Sequence, residues 1–211
     1  MAPDIESYAP FIQAVFDAQT DKALRIPFTI ADRGARKESL IIEGFLSILD
    51  LKDSRLGASH VMALLESGGI KERFGLSESD IEIIEHWIKE THIRWGIDEE
   101  HRRKLGFPVF SENTWKDGVE RLLLGYAMPG FGRKMFSGIL PYDHIEGSEV
   151  KTLGKFIGFL DRLINCVDSL NQARTLSGWS QVFSDMIEQF FTLEQDSEPE
   201  IQNLRRFLDD M

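Results

Sequence analysis

The sequence predicts an α+β fold, mostly α: a short parallel βαβ unit over residues 1–52, then an irregular helical subdomain over residues 53–211. Three observations lead there. Residues 25–33 read as a short buried strand, with Ile26, Phe28 and Ile30 alternating with Pro27 and Thr29 before small and charged turn residues. Pro27 lacks an amide proton and belongs at the strand's first positions or at an edge. A strand-like start at residues 2–5, a helix with Tyr8, Phe11, Ile12, Val15 and Phe16, this strand, and a helix with Leu40, Ile41, Phe45, Ile48 and Leu49 then follow in βαβα order. Beyond residue 53 the apolar spacing turns to threes and fours, the period of helices.

The later elements follow in order. Ser59 is placed to cap a short helix that buries Val61, Met62, Leu64 and Leu65 and ends at Gly68-Gly69. Ser77, with Asp80 three residues on, has the form of a capping box. The helix it opens turns Ile81, Ile84, Trp87 and Ile88 inward and an acidic face outward. Asp98 caps a helix ending at Gly106. After a cap at Asn113 or Ser111, the next helix places Trp115, Val119, Leu122, Leu123 and Tyr126 on one buried stripe. Residues 129–132 form a glycine loop and residues 139–142 an extended segment. Ser148 opens a helix of about twenty residues, with Leu153, Phe156, Ile157, Leu160, Leu163, Ile164 and Val167 inward. Ser177 opens another with Trp179, Val182, Phe183, Met186, Ile187 and Phe190, and a short helix is expected over residues 201–208.

Charge and chemistry narrow the function. The 211 residues carry 35 acidic and 24 basic side chains, a formal net charge of -11. Such a surface repels a phosphate backbone unless its cations are clustered. Cys166 is the only cysteine, which excludes an intrachain disulfide and a cysteine-based zinc cluster, and it reads as a small buried helix residue. There is no apolar run long enough for a bilayer and no secretory pattern at the start, so a cytoplasmic protein with no membrane contact is expected. No glycine-rich loop ends in Lys-Ser/Thr, so neither a bound nucleotide nor any other cofactor is expected in this chain. His86 and His92 sit too far around a helix to chelate one ion, and His101 beside Glu99 and Glu100 reads as a solvated helix residue. The most site-like cluster, Asp143, His144 and Glu146, reads as a polar turn. No catalytic and no metal-binding residues are therefore assigned.

Binding remains. Basic pairs and triplets occur at Arg33/Arg36/Lys37, Lys71/Arg73, Arg102/Arg103/Lys104, Arg133/Lys134 and Arg205/Arg206. Single-strand channels combine such cations with aromatic rings on which bases stack. Arg133 and Lys134 between Phe131 and Phe136 have that composition, and these four are the candidate nucleic-acid contacts.

The opening MAPDIESYAPFIQAVF with IPFTIADR, and further on IRWGID, NTWKDGVERLLLGYAM and GILPYDHIEG, resemble the RecC family, the gamma chain of exodeoxyribonuclease V. The resemblance implies an internal piece of a longer polypeptide. Residues 1–52 would be the start of a second helicase-like domain (2A-like), and residues 53–211 the accessory (2B-like) subdomain inserted in it. It further implies an inactive motor domain in a heterotrimer with RecB-like and RecD-like subunits, which supply the ATP-dependent helicase and nuclease activity. Such a subunit acts in double-strand break repair and recombination by scaffolding, by guiding single- and double-stranded DNA, and in Chi-dependent regulation. Two other classes stay open at this point. One is the matching region of an active superfamily 1 helicase or an AddB-like nuclease subunit; the other is a helical interaction module with no DNA role. The unpaired edges expected of a two-stranded sheet also predict that the isolated chain associates with itself through residues 1–50.

Overall fold

The computed structural model describes residues 16, 40–128, 134–145, 147 and 149–192. Eight helices are described over residues 40–190: α1 (Leu40–Asp50), α2 (Ala58–Glu66), α3 (Gly68–Arg73), α4 (Glu78–Glu90), α5 (Glu99–Lys104), α6 (Trp115–Ala127), α7 (Glu149–Leu170) and α8 (Leu176–Phe190). Among the described residues there is no strand; the one extended pairing is an isolated antiparallel bridge between Phe136 and Ile139.

This corrects the expected α+β class with its parallel βαβ unit. The segments read as strands, residues 2–5 and 26–30, lie outside the described residues, as does the helix expected over residues 201–208. The helix expected to cover the sheet is described, and it covers other helices. α1 packs on α2, α3 and α7, and Ile41, Phe45 and Ile48 enter the same buried cluster as Leu65, Ile84 and Phe156. Apolar periodicity shows which face of a helix is buried, but a sheet and a helix bundle satisfy that face equally well.

α7 is the central pillar. Over 22 residues it buries Thr152, Leu153, Phe156, Phe159, Leu160, Leu163, Val167 and Leu170. α4 lies along it, presenting Ile81, Ile84, Trp87 and Ile88 as the spacing predicts. The capping box at the head of α4 also forms: the Asp80 amide donates to Ser77 Oγ at 3.2 Å, and the Ser77 amide donates to Asp80 Oδ2 at 2.9 Å. That carboxylate also ties α4 to α7, accepting from Thr152 Oγ1 and from Lys155 Nζ. Burial alone would raise the Asp80 carboxyl; the bonds from Ser77, Thr152 and Lys155 outweigh it and hold the group far below the usual carboxylate range.

α2 and α3 meet at Ser67, whose extended backbone breaks the helix. Gly68 and Gly69, expected to terminate a helix, instead begin α3. One reason is close packing: the Phe191 ring rests on Gly44 of α1 and Gly69 of α3, at 2.9 Å and 3.2 Å from where a Cβ would stand. A larger residue at either position would lift the end of α8 off the body. α8 itself starts at a Thr175 cap, two residues before the expected Ser177, and turns Met186, Ile187 and Phe190 into the core.

Candidate nucleic-acid interface

The four residues singled out for DNA contact follow α6 in the sequence. That helix begins at Thr114, whose hydroxyl accepts from the Asp117 amide at 3.2 Å and donates to the Ser111 carbonyl at 2.6 Å. Asn113, one of the expected caps, has φ +62 and turns the chain into the cap. Trp115 points inward and donates from Nε1 to the Leu56 carbonyl at 2.7 Å, which satisfies the polar end of a fully buried ring.

The buried face of α6 is Trp115, Gly118, Leu122 and Gly125, spaced three, four and three. The expected stripe therefore holds only in part. Trp115 and Leu122 are buried and Val119 packs on the core, but Leu123 is 43% and Tyr126 48% exposed. The helix is turned by its glycines. A Cβ on Gly118 would collide with the Ile93 side chain, and one on Gly125 with the Tyr142 backbone carbonyl. A hydropathy count gives glycine little weight, so a face closed by backbone contact leaves no apolar signal.

The approach at Gly125 positions the next segment. The Tyr142 amide donates to the Arg121 carbonyl at 2.9 Å. Arg121 Nε donates to the Leu140 carbonyl at 3.0 Å and its Nη1 to the Thr91 carbonyl at 2.7 Å. Arg121 thus clamps the 140–142 segment to α6 and to the end of α4. Upstream, Phe136 and Ile139 exchange both backbone bonds, at 2.8 and 2.9 Å, around Ser137 (φ +50) and Gly138 (φ +85). Positive φ at both central residues is what a type I′ hairpin turn requires. Phe136, 46% exposed, and Lys134 face solvent. Phe131 and Arg133 lie outside the described residues, as does Glu146.

The other cations are mostly committed to the protein itself. Lys71 pairs with Glu78, and Arg73 Nε donates to the Glu188 carbonyl at 3.2 Å. Arg103 pairs with Glu100 at 2.6 Å. Arg102, one member of a basic triplet in the sequence, is buried and holds three carbonyls, those of Phe110, Glu112 and Trp95. Nothing local distinguishes Arg102 or Arg121 from neighbouring cations, because the carbonyls they hold are supplied by distant turns. The clusters at Arg33/Arg36/Lys37 and Arg205/Arg206 lie outside the described residues.

His101 is half-buried rather than solvated. Burial pushes its pKa down, against the pull of Asp98 and Asp168, with Lys104 adding to the fall. Burial likewise pushes the half-buried Cys166 thiol up to about 11, so it stays protonated at neutral pH. His144 is exposed, its ring edge against Tyr142. Among the described residues no group of three His, Cys, Asp or Glu side chains is placed to hold a metal ion, and no helix is long and apolar enough to cross a membrane.

The sequence is similar to a known group of proteins. A family model described as RecBCD enzyme subunit RecC, fourth domain, matches residues 38–211. The chain is 38% identical over 199 residues to the RecBCD enzyme subunit RecC of Escherichia coli, an overlap of 94% of this chain and 18% of that protein. It is 35% identical to the RecC subunit of Buchnera aphidicola from Acyrthosiphon pisum, over 96% of this chain and 19% of that one. For Mycolicibacterium smegmatis the figures are 32%, 98% and 20%. The chain thus spans about a fifth of the length of the curated relatives it matches. On the strength of the match over 38–211, the chain belongs to the RecC family, and those residues correspond to its fourth domain.

Proposed function

We propose that this chain is a non-catalytic building block of a RecC-like subunit and acts within a RecBCD-type helicase–nuclease in DNA double-strand break repair and recombination. The match to the RecC fourth domain over residues 38–211 carries this reading. The alternatives of an active helicase segment, an AddB-like subunit or a module without a DNA role are not favoured beside it. Scaffolding of RecB-like and RecD-like partners is the primary role; guidance of single strands and a part in Chi-dependent regulation are secondary. The helical unit begins near residue 38, since α1 shares its core with the later helices. The complex works in the cytoplasm.

For strand guidance the favoured contact is the hairpin beside α6, where Phe136 offers a stacking face next to Lys134. The test is to purify the full-length subunit with its two companion subunits and a forked DNA carrying photoreactive bases. Co-elution of three subunits with crosslinks at residues 131–136 is expected. Co-elution without any crosslink in residues 38–211 would leave the scaffold and remove the guidance role. Failure of the subunits to co-elute would overturn the assembly reading.

A further inference from the structure

We infer that the loop between α5 and α6 is a preorganised docking knob for a companion protein subunit whose matching face is apolar and flanked by Lys and Arg. The inference rests on the assembly reading above and adds the surface and the partner's chemistry. Val109 is 48% and Phe110 55% exposed, and Leu105 at the loop's start is also exposed. Three large apolar side chains within six residues of one loop are more than scattered surface exposure.

The loop is held from beneath. Arg102, 4% exposed, donates Nη1 to the carbonyls of Phe110 and Glu112, both at 2.9 Å, and Nη2 to the Trp95 carbonyl at 3.0 Å. Its guanidinium lies over the Trp95 ring, 4.4 Å from the centroid. Phe107 turns inward edge-on to Trp95 at 5.1 Å, and Arg55 covers it at 4.3 Å. One aromatic of the loop therefore anchors it while Phe110 is presented outward. A side chain displayed on a fixed backbone loses little further freedom on binding, and aromatic anchors of this type dominate interface energetics.

Charge selects the occupant. Ser111 and Glu112, directly after Phe110, line a groove of about 500 Å³ that also takes in Glu99, Glu100, Asp117 and Glu120. Of its two cations, Arg103 is paired with Glu100 at 2.6 Å; the other is Lys116. This acidic lining attracts a cationic protein face. An apolar patch bordered by Lys and Arg satisfies both the knob and the groove.

The experiment places p-benzoylphenylalanine at position 110 of the full-length subunit, purified with its companions and irradiated. A crosslink to a companion peptide rich in Lys and Arg around apolar residues is expected. The pair Val109→Ser with Phe110→Ser should weaken assembly ~10-fold or more, with the thermal midpoint unchanged because both side chains are exposed. Glu112→Lys with Glu120→Lys should slow association ~10-fold at low salt and less at high salt. The inference is overturned if the complex forms normally while position 110 joins only its own chain, DNA or nothing, or if the serine pair assembles at parental affinity. If no complex forms with the parental protein, the assembly reading falls and this inference with it.

Discussion

Helices α6 and α7 lie in one body and are closed in opposite ways. α7 presents a continuous row of large apolar side chains, from Leu153 to Leu170, and its glycines at 154 and 158 meet nothing within 4 Å. α6 presents two large side chains, Trp115 and Leu122, alternating with two glycines against which a side chain and a backbone carbonyl press. The first interface is made of side-chain volume, the second of backbone proximity. A glycine is therefore a weakness in one helix and a requirement in the other, and mutation can separate the two cases.

The largest difference is expected on α6 itself. Leu122→Ala should cost about 3 kcal/mol because the residue is fully buried. Leu123→Ala and Tyr126→Ala should stay within about 0.5 kcal/mol, as exposed positions do. Urea unfolding of the three variants checks this; a similar loss at all three would restore the single stripe read from spacing.

Next comes the glycine contact. Gly125→Ala forces its new methyl against the Tyr142 carbonyl, and a loss of about 2 kcal/mol is expected from overpacking. Amide exchange should also show the 140–142 segment loosened. Unchanged stability and exchange would mean that the segment does not lie against α6.

The same substitution on α7 should have the opposite sign. Gly154 is exposed with open space around it, so Gly154→Ala should stabilise by about 0.5–1 kcal/mol through helix propensity. A thermal melt that falls would show that α7 needs this glycine.

The smallest effect concerns the polar tie between α4 and α7. The Asp80 carboxyl is depressed in the folded protein, so its contribution is fully present above the unfolded value near 4. It begins to fall below that value and is lost only as pH passes through the depressed folded value. Melting temperatures of the parent and Asp80→Asn should therefore differ at pH 7, with a gap that starts to narrow below about pH 4 and is still open at about pH 3. A gap independent of pH would remove the charge from the explanation.

Sequence alone makes the side-chain interface legible and leaves the backbone interface hidden. The α7 row and the four inward residues of α4 are visible because large apolar residues recur at helical spacing. The capping box at Ser77 and Asp80 and the cap at Asp98 are visible because they are complete within four residues. The true face of α6 is not, since Gly118 and Gly125 act through partners twenty-five and seventeen residues away. Arg102 reads as a surface cation for the same reason. The βαβ unit failed at its partner rather than at its helix: α1 is helical where expected, and no local pattern says that it meets α3 and α7. Of the proposed DNA contacts, the composition is legible at Phe136 and Lys134, while the hairpin that presents them depends on Gly125 and Arg121 packing from outside the motif.

The Phe191 ring on Gly44 and Gly69 has a mechanical consequence. It fastens the last turn of the described body to its first helix, and the edge contact between Phe183 and Phe45 at 5.7 Å reinforces the join. Chain entry and exit are thereby stitched side by side. Tension applied along a longer polypeptide would load this stitch first, and the Phe191 contact would give before the longer apolar row of α7.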